Sequence, residues 1–189
     1  NSILKGEEKV VFHNNSPDTL YSIVFQLFQD MYKKGNTRKK YIIPYDVTEG
    51  TNFTLLTINK EQIYLNDTSQ ARIQDGLLKV KLKSPLFPRT SANIRVKWDF
   101  HIPEKTYRRT ARFDSTSYFI AYWFPRVAVY DDIFGWDNYG YDGLHEFNND
   151  YGNFTVKIKV PENYLIWSSG ELENPGEVYS QDIINRLSE

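Results

Sequence analysis

The stretch Gly143-Leu144-His145-Glu146-Phe147-Asn148-Asn149-Asp150 carries the first half of a hydrolytic zinc motif. In His-Glu-x-x-His on a helix, two imidazoles one turn apart hold the metal, and the glutamate drives a water onto a carbonyl. Position 149 would then have to be histidine, and it is asparagine. The other two histidines, His13 and His101, have no second histidine three or four residues away. No helical pair of imidazole ligands is therefore encoded. Cysteine is absent, which removes disulfides, thiolate nucleophiles and Cys-based zinc knots.

Other chemistries fare no better. Asp131, Asp132, Asp142, Glu146 and Asp150 crowd one stretch, and paired acids can hydrolyse glycosides or bind calcium. The calcium-loop order D-x-[DN]-x-[DN]-G is not met. No Gly-x-Ser-x-Gly elbow exists, so Ser168-Ser169-Gly170 reads as a turn. No glycine-rich phosphate loop is present. Lys33 to Lys40, KKGNTRKK, carries five cations in eight residues and reads as a solvated loop around Gly35-Asn36.

The densest feature runs from Tyr118 to Tyr151 and mixes aromatics, acids and glycine turns. Tyrosine and tryptophan combine contact area with a polar tip, so such a stretch can line a groove. The same aromatics can equally cap a sheet.

The elements that must carry these residues read as strands. Tyr, Phe, Thr and Val favour pleated surfaces, and the chain has 14 Tyr and 12 Phe. Lys9–His13 and Leu20–Phe28 read as two antiparallel strands joined by the turn-rich Asn14–Thr19. Further strands are expected over Phe53–Ile58 and Gln62–Leu65, around a turn at Asn59-Lys60. Others follow over Gly76–Leu82, Asn93–His101, Asn153–Val160 and Tyr164–Trp167, with a break at the two prolines of Ser84–Arg89. Ile183, Ile184 and Leu187 are spaced for a short amphipathic helix in the tail. The expected class is mainly β: packed, mostly antiparallel sheets forming a β-sandwich, with a short helix at the C-terminal end. Residues 1–178 read as one β domain and 179–189 as a helix or linker.

At 189 residues the chain is long enough to bury a full core. Its net charge of −1 gives no sustained basic surface for nucleic acid. No apolar run approaches the roughly 20 residues of a membrane span. Asn1 is not a natural start, so the chain reads as part of a longer polypeptide.

Several stretches together resemble one family. They are Trp123-Phe124-Pro125-Arg126-Val127-Ala128-Val129-Tyr130-Asp131, then Gly135-Trp136 and Glu146-Phe147. They continue with Asp150-Tyr151-Gly152-Asn153-Phe154-Thr155-Val156-Lys157-Ile158-Lys159-Val160-Pro161 and Gly170-Glu171-Leu172-Glu173-Asn174-Pro175. In order and spacing these resemble the N-terminal domain of the gluzincin zinc metallopeptidases, the aminopeptidase N and leukotriene hydrolase group, in its bacterial branch. The opening Asn14–Leu20 resembles that branch too.

The resemblance implies a saddle-shaped β-sandwich without catalytic residues or zinc of its own. It also implies a downstream catalytic domain of the same polypeptide that binds zinc and cleaves peptides, and a cell-envelope, periplasmic or secreted location. A loop before the Phe-Pro motif holds the substrate amine in that family. Here it corresponds to Asp114–Tyr118, which lacks the family's Gln-x-Glu pair, and Asp114 would stand in electrostatically. Tyr118, Trp123, Arg126 and Tyr141 would complete the wall of the peptide-substrate cleft. A stand-alone β-sandwich module binding carbohydrate or protein through exposed Tyr and Trp is the alternative expectation.

Overall fold

A computed structural model describes residues 2–106 and 109–187. The chain divides into two compact units, Asn1–Tyr151 and Gly152–Glu189.

The first unit opens with β1 (Ile3–His13), β2 (Leu20–Gln26), β3 (Asn52–Ile58), β4 (Glu61–Gln62), β5 (Ala71–Gln74), β6 (Leu77–Leu86) and β7 (Ser91–His101). Shorter pieces follow: β8 (Thr110–Arg112), β9 (Tyr118–Ile120), β10 (Arg126–Val127), β11 (Tyr130–Asp131) and β12 (Gly135–Trp136). They build two four-stranded sheets, ordered β1-β7-β3-β4 and β10-β2-β6-β5, and the small pairs β8-β9 and β11-β12. Every pairing between these strands is antiparallel. The mainly β, mostly antiparallel class expected from the residues is what the chain adopts.

Alternation decides which face of each strand is buried. In β7 the even positions Ala92, Ile94, Val96, Trp98 and Phe100 are buried. Together with Ile23 and Phe25 of β2 and Leu78 and Val80 of β6, they belong to a single hydrophobic cluster shared by the two larger sheets. Trp98 anchors it at 2% exposure. Gly6 lies opposite Trp98 in the β1–β7 register, and a Cβ there would stand 2.3 Å from the indole. Glycine is thus required by the ring that crosses it.

The turn expected at Asn59-Lys60 forms, with φ of 51° and 70°. Asp75-Gly76 does the same between β5 and β6. Two consecutive left-handed residues match the right-handed twist of the strands they join.

Two expectations about connection fail. The segments Lys9–His13 and Leu20–Phe28 do not pair with each other, because β1 joins β7 in one sheet and β2 joins β6 in the other. The intervening turn redirects the chain. Asn14 is buried, its Nδ2 donates to the carbonyls of Asp18 and Leu86, and its Oδ1 accepts from the Ser16 amide and hydroxyl. The prolines of Ser84–Arg89 do not end β6 either. The strand continues to Leu86, and the β2–β6 register shifts between Leu20 and Ser22. A proline is tolerated where a bulge leaves its missing N–H unneeded.

After β2 the chain tightens into a 3-10 turn, Phe28–Tyr32, buried throughout. It supports a second hydrophobic cluster of Phe28, Met31, Tyr32, Ile42 and Tyr141. Asp30 lies inside this turn at 0% exposure, accepts the Thr51 amide at 2.7 Å, and has Lys33 Nζ at 3.7 Å. Burial raises its pKa above the ordinary carboxylate value, against the opposing pull of that amide and of Lys33.

The second unit contains the short helices α1 (Pro175–Val178) and α2 (Gln181–Leu187), the latter covering part of the expected tail helix. Residues 153–160 and 164–167 form no strand among the described residues. Alternation supplies the capacity to be a strand, and a backbone ladder has to supply the rest. Among the described residues no helix is long and apolar enough to cross a membrane.

Candidate functional site

The residues expected to wall a cleft fall into separate surroundings. Asp114 is exposed and organises the turn between β8 and β9. Its Oδ1 accepts the Thr116 amide at 2.7 Å, the Thr116 hydroxyl at 3.0 Å and the Ser117 amide at 2.7 Å. Those hydrogen bonds, the Thr116 amide first, hold its carboxyl below the usual range. Tyr118 closes the same turn, opposite Arg112, with its hydroxyl 2.9 Å from Ser2 Oγ. Trp123 is half-buried. Its carbonyl accepts Trp98 Nε1 at 3.1 Å, and its ring stacks on Trp98 at 6.0 Å. Arg126 pairs with Gln26 in β10, and its Nη2 donates to the Asp150 carbonyl at 2.7 Å. Burial lowers its pKa. Tyr141 is buried in the second cluster. Asp114 and Tyr118 therefore share one hairpin, whereas Trp123 and Tyr141 belong to two different hydrophobic clusters.

A constellation that sequence reading missed gathers around Tyr141. Phe28, Tyr122 and Tyr141 form three walls around the ring of Phe147. The centroid distances from Phe147 are 4.2, 4.8 and 5.4 Å, the two tyrosines meeting it edge-on. Such edge-to-face contacts align the positive ring edge with the negative ring face. Arg109 stands beside this box. Its Nη1 donates to Tyr122 Oη at 2.9 Å, and its Nη2 forms an ion pair with Glu146. Tyr141 Oη is buried and meets no hydrogen-bond partner among the described residues. Of these residues the sequence points to Tyr141 and to the pair Glu146-Phe147, but not to Phe28 or Arg109. Three of the four rings lie within Tyr118–Tyr151 without a common period, and Phe28 joins them from the 3-10 turn after β2.

The loop that delivers Phe147 is rooted at both ends. The Asp142 carbonyl accepts the amides of Lys39 and Lys40 at 3.0 and 3.3 Å. Its Oδ1 accepts the Leu144 and His145 amides at 2.9 and 3.0 Å, and Oδ2 lies 2.7 Å from His145 Nδ1. Burial opposes ionisation, but the His145 and Leu144 amides and the His145 ring outweigh it and hold Asp142 well below the usual carboxylate range. His145 thus engages an aspartate three residues before it. Gly143 has φ +91°, and a Cβ there would stand 2.6 Å from Lys40 Cβ.

A second concavity opens elsewhere on this unit. It is a cleft of about 520 Å3, and its lining includes Tyr45, Asp46, Glu49, Asp99, His101 and Glu104. Its carboxylates are partly engaged. Asp46 is buried and accepts the amides of Glu104, Lys105 and Thr106. Asp99 accepts Asn52 Nδ2 at 3.0 Å, and Glu104 accepts the Tyr45 hydroxyl at 3.2 Å. The described lining residues include the four carboxylates Asp46, Glu49, Asp99 and Glu104 and no lysine or arginine, and Arg112 Nη1 lies 3.6 Å from Glu104.

Among the described residues no group of three or more His, Asp or Glu is placed to hold a metal ion. Compared with known proteins, the chain matches no family model, no curated protein and no solved structure.

Proposed function

We propose that this chain is the non-catalytic N-terminal β domain of a zinc-dependent peptidase of the gluzincin class. It packs on a downstream catalytic domain of the same polypeptide and walls one side of the peptide cleft. On this reading its own residues perform no hydrolysis, and a zinc held by the downstream domain would supply the Lewis-acid chemistry.

The observation that carries this reading is the apolar surface of residues 152–172. Val156, Ile158, Val160, Leu165 and Trp167 are all exposed there. Exposed apolar side chains concentrated in one short segment support an interaction surface there. The ordered motifs from Trp123 to Pro175 supply the family resemblance that gives the partner its chemistry. The saddle-like β-sandwich expected of that family is consistent with two antiparallel sheets sharing one cluster.

One observation favours the second reading, a binding module that recognises carbohydrate or protein through exposed aromatics. Phe134 and Tyr139 are 86% and 85% exposed near the β11–β12 turn. Exposed rings of this kind serve as stacking platforms.

The deciding experiment assays the full-length polypeptide and this chain against aminoacyl fluorogenic substrates, with and without a zinc chelator. The peptidase reading expects chelator-sensitive release by the full-length polypeptide and none by this chain. Inactivity of both, with glycan-array binding by this chain, would replace it with the binding module.

A further inference from the structure

We infer that residues 142–150 form a displaceable strap, and that its Phe147 fills a pocket for peptide segments of the Glu-Phe type, an acidic residue followed by an aromatic one. This inference does not rest on the peptidase reading.

Three features carry it. The first is the box. Phe28 and Tyr141 are buried and packed in the second hydrophobic cluster, and Tyr122 packs against it. Two of the walls come from segments outside the strap, Phe28 from the buried 3-10 turn and Tyr122 from the segment after β9, while Tyr141 immediately precedes the strap. The second is how the strap is fastened. Its ends are tied through backbone carbonyls, at Asp142 to Lys39 and Lys40 and at Asp150 to Arg126. Its middle is held by the half-buried Phe147 ring and by the Glu146–Arg109 ion pair, whose carboxylate side is largely exposed. Exposed ion pairs are weak fasteners. Gly143, one residue after the first root, has left-handed backbone and packs against Lys40, so the strap turns away from the body there.

The third feature is what withdrawal leaves behind. Arg109 remains positioned by its hydrogen bond to Tyr122 Oη. Tyr141 Oη is buried and has no hydrogen-bond partner among the described residues, even with Phe147 in place. The opened site is an aromatic box with a guanidinium at its rim. Guanidinium selects a carboxylate, and the rings select an aromatic side chain. Glu146-Phe147 is the strap's own copy of that ligand.

If the strap competes with the ligand, apparent affinity is set by the fraction of molecules with the strap withdrawn. The probe is acetyl-Glu-Phe-amide, titrated calorimetrically into this chain, with acetyl-Lys-Phe-amide and acetyl-Glu-Ala-amide as controls. Glu146→Gln is expected to bind the probe about two- to fivefold tighter than the unaltered chain, the range set by an exposed ion pair. Phe147→Ala is expected to gain at least about tenfold, because the box is then permanently open. Saturating probe should also speed hydrogen exchange of the amides at 144–149 in the unaltered chain, because the strap is expelled. Both controls should bind at least about tenfold more weakly. The inference fails if Glu146→Gln binds no tighter than the unaltered chain, or if exchange at 144–149 is unmoved. It fails equally if Phe147→Ala keeps its circular dichroism yet takes no probe. Should Phe147→Ala not fold, the Glu146→Gln affinity and the exchange measurement decide the matter alone.

Discussion

The segments 91–101 and 153–160 alternate apolar and polar residues with the same regularity, yet they occupy opposite environments. In β7 the backbone pairs on both sides, with β1 and with β3, and the apolar set disappears into the core. In 153–160 no ladder forms among the described residues, and Val156, Ile158 and Val160 face solvent. Their side chains are equally suited to burial. What differs is backbone pairing. Two partners satisfy the N–H and C=O groups of β7, and burial of apolar surface follows once those polar groups are met.

That contrast can be broken from either side. The largest effect belongs to Trp98→Ala. It removes the biggest fully buried side chain and is expected to cost about 3–5 kcal/mol, read as a lowered urea midpoint. A loss under about 1 kcal/mol would mean that the shared core is looser than its burial indicates.

A smaller effect should come from Glu8, which pairs with Val96 on the other flank of β7. Its Oε1 is buried without a hydrogen-bond partner among the described residues, and burial pushes its pKa from 4.5 up to about 8. The folded state thus binds a proton that the unfolded state releases. The stability contributed by the neutral form is fully present below pH 4.5 and is lost as pH rises toward 8. Glu8→Gln should remove this decline, gaining about 1–3 kcal/mol at pH 8 and little at pH 4. Denaturation curves for both proteins across that window will show whether they converge at the acid end.

The smallest effect is expected at Ile158, half-exposed at 50%. Ile158→Ala should change the stability of this chain by less than about 0.5 kcal/mol. A loss of 2 kcal/mol or more would place Ile158 in a core after all and erase the contrast with β7.

The same contrast explains what was legible in the sequence. Periodicity located β3, β6 and β7 and the turn at Asn59-Lys60, because side-chain alternation and left-handed turn residues are local properties. It misjudged partners. Lys9–His13 and Leu20–Phe28 looked like neighbours because they are close in the chain, whereas the buried Asn14 sends them to different sheets. The aromatic box lay beyond reach for the same reason. Phe28, Tyr122, Tyr141 and Phe147 converge through topology, and nothing in their spacing announces it. The pairing of Glu146 with Arg109 spans 37 residues, so no local motif encodes it.

β1 brings one further consequence, for how the protein behaves in concentrated solution. It is an eleven-residue edge strand, and its outer side offers a long row of backbone groups to any second copy. Such rows seed assembly into fibres. Here Lys5 and Lys9 project from the exposed face, and Glu8 turns inward where a flat hydrophobic edge would carry an apolar residue. The carboxyl that lowers stability as pH rises toward 8 also interrupts the apolar face that β1 would offer as a template.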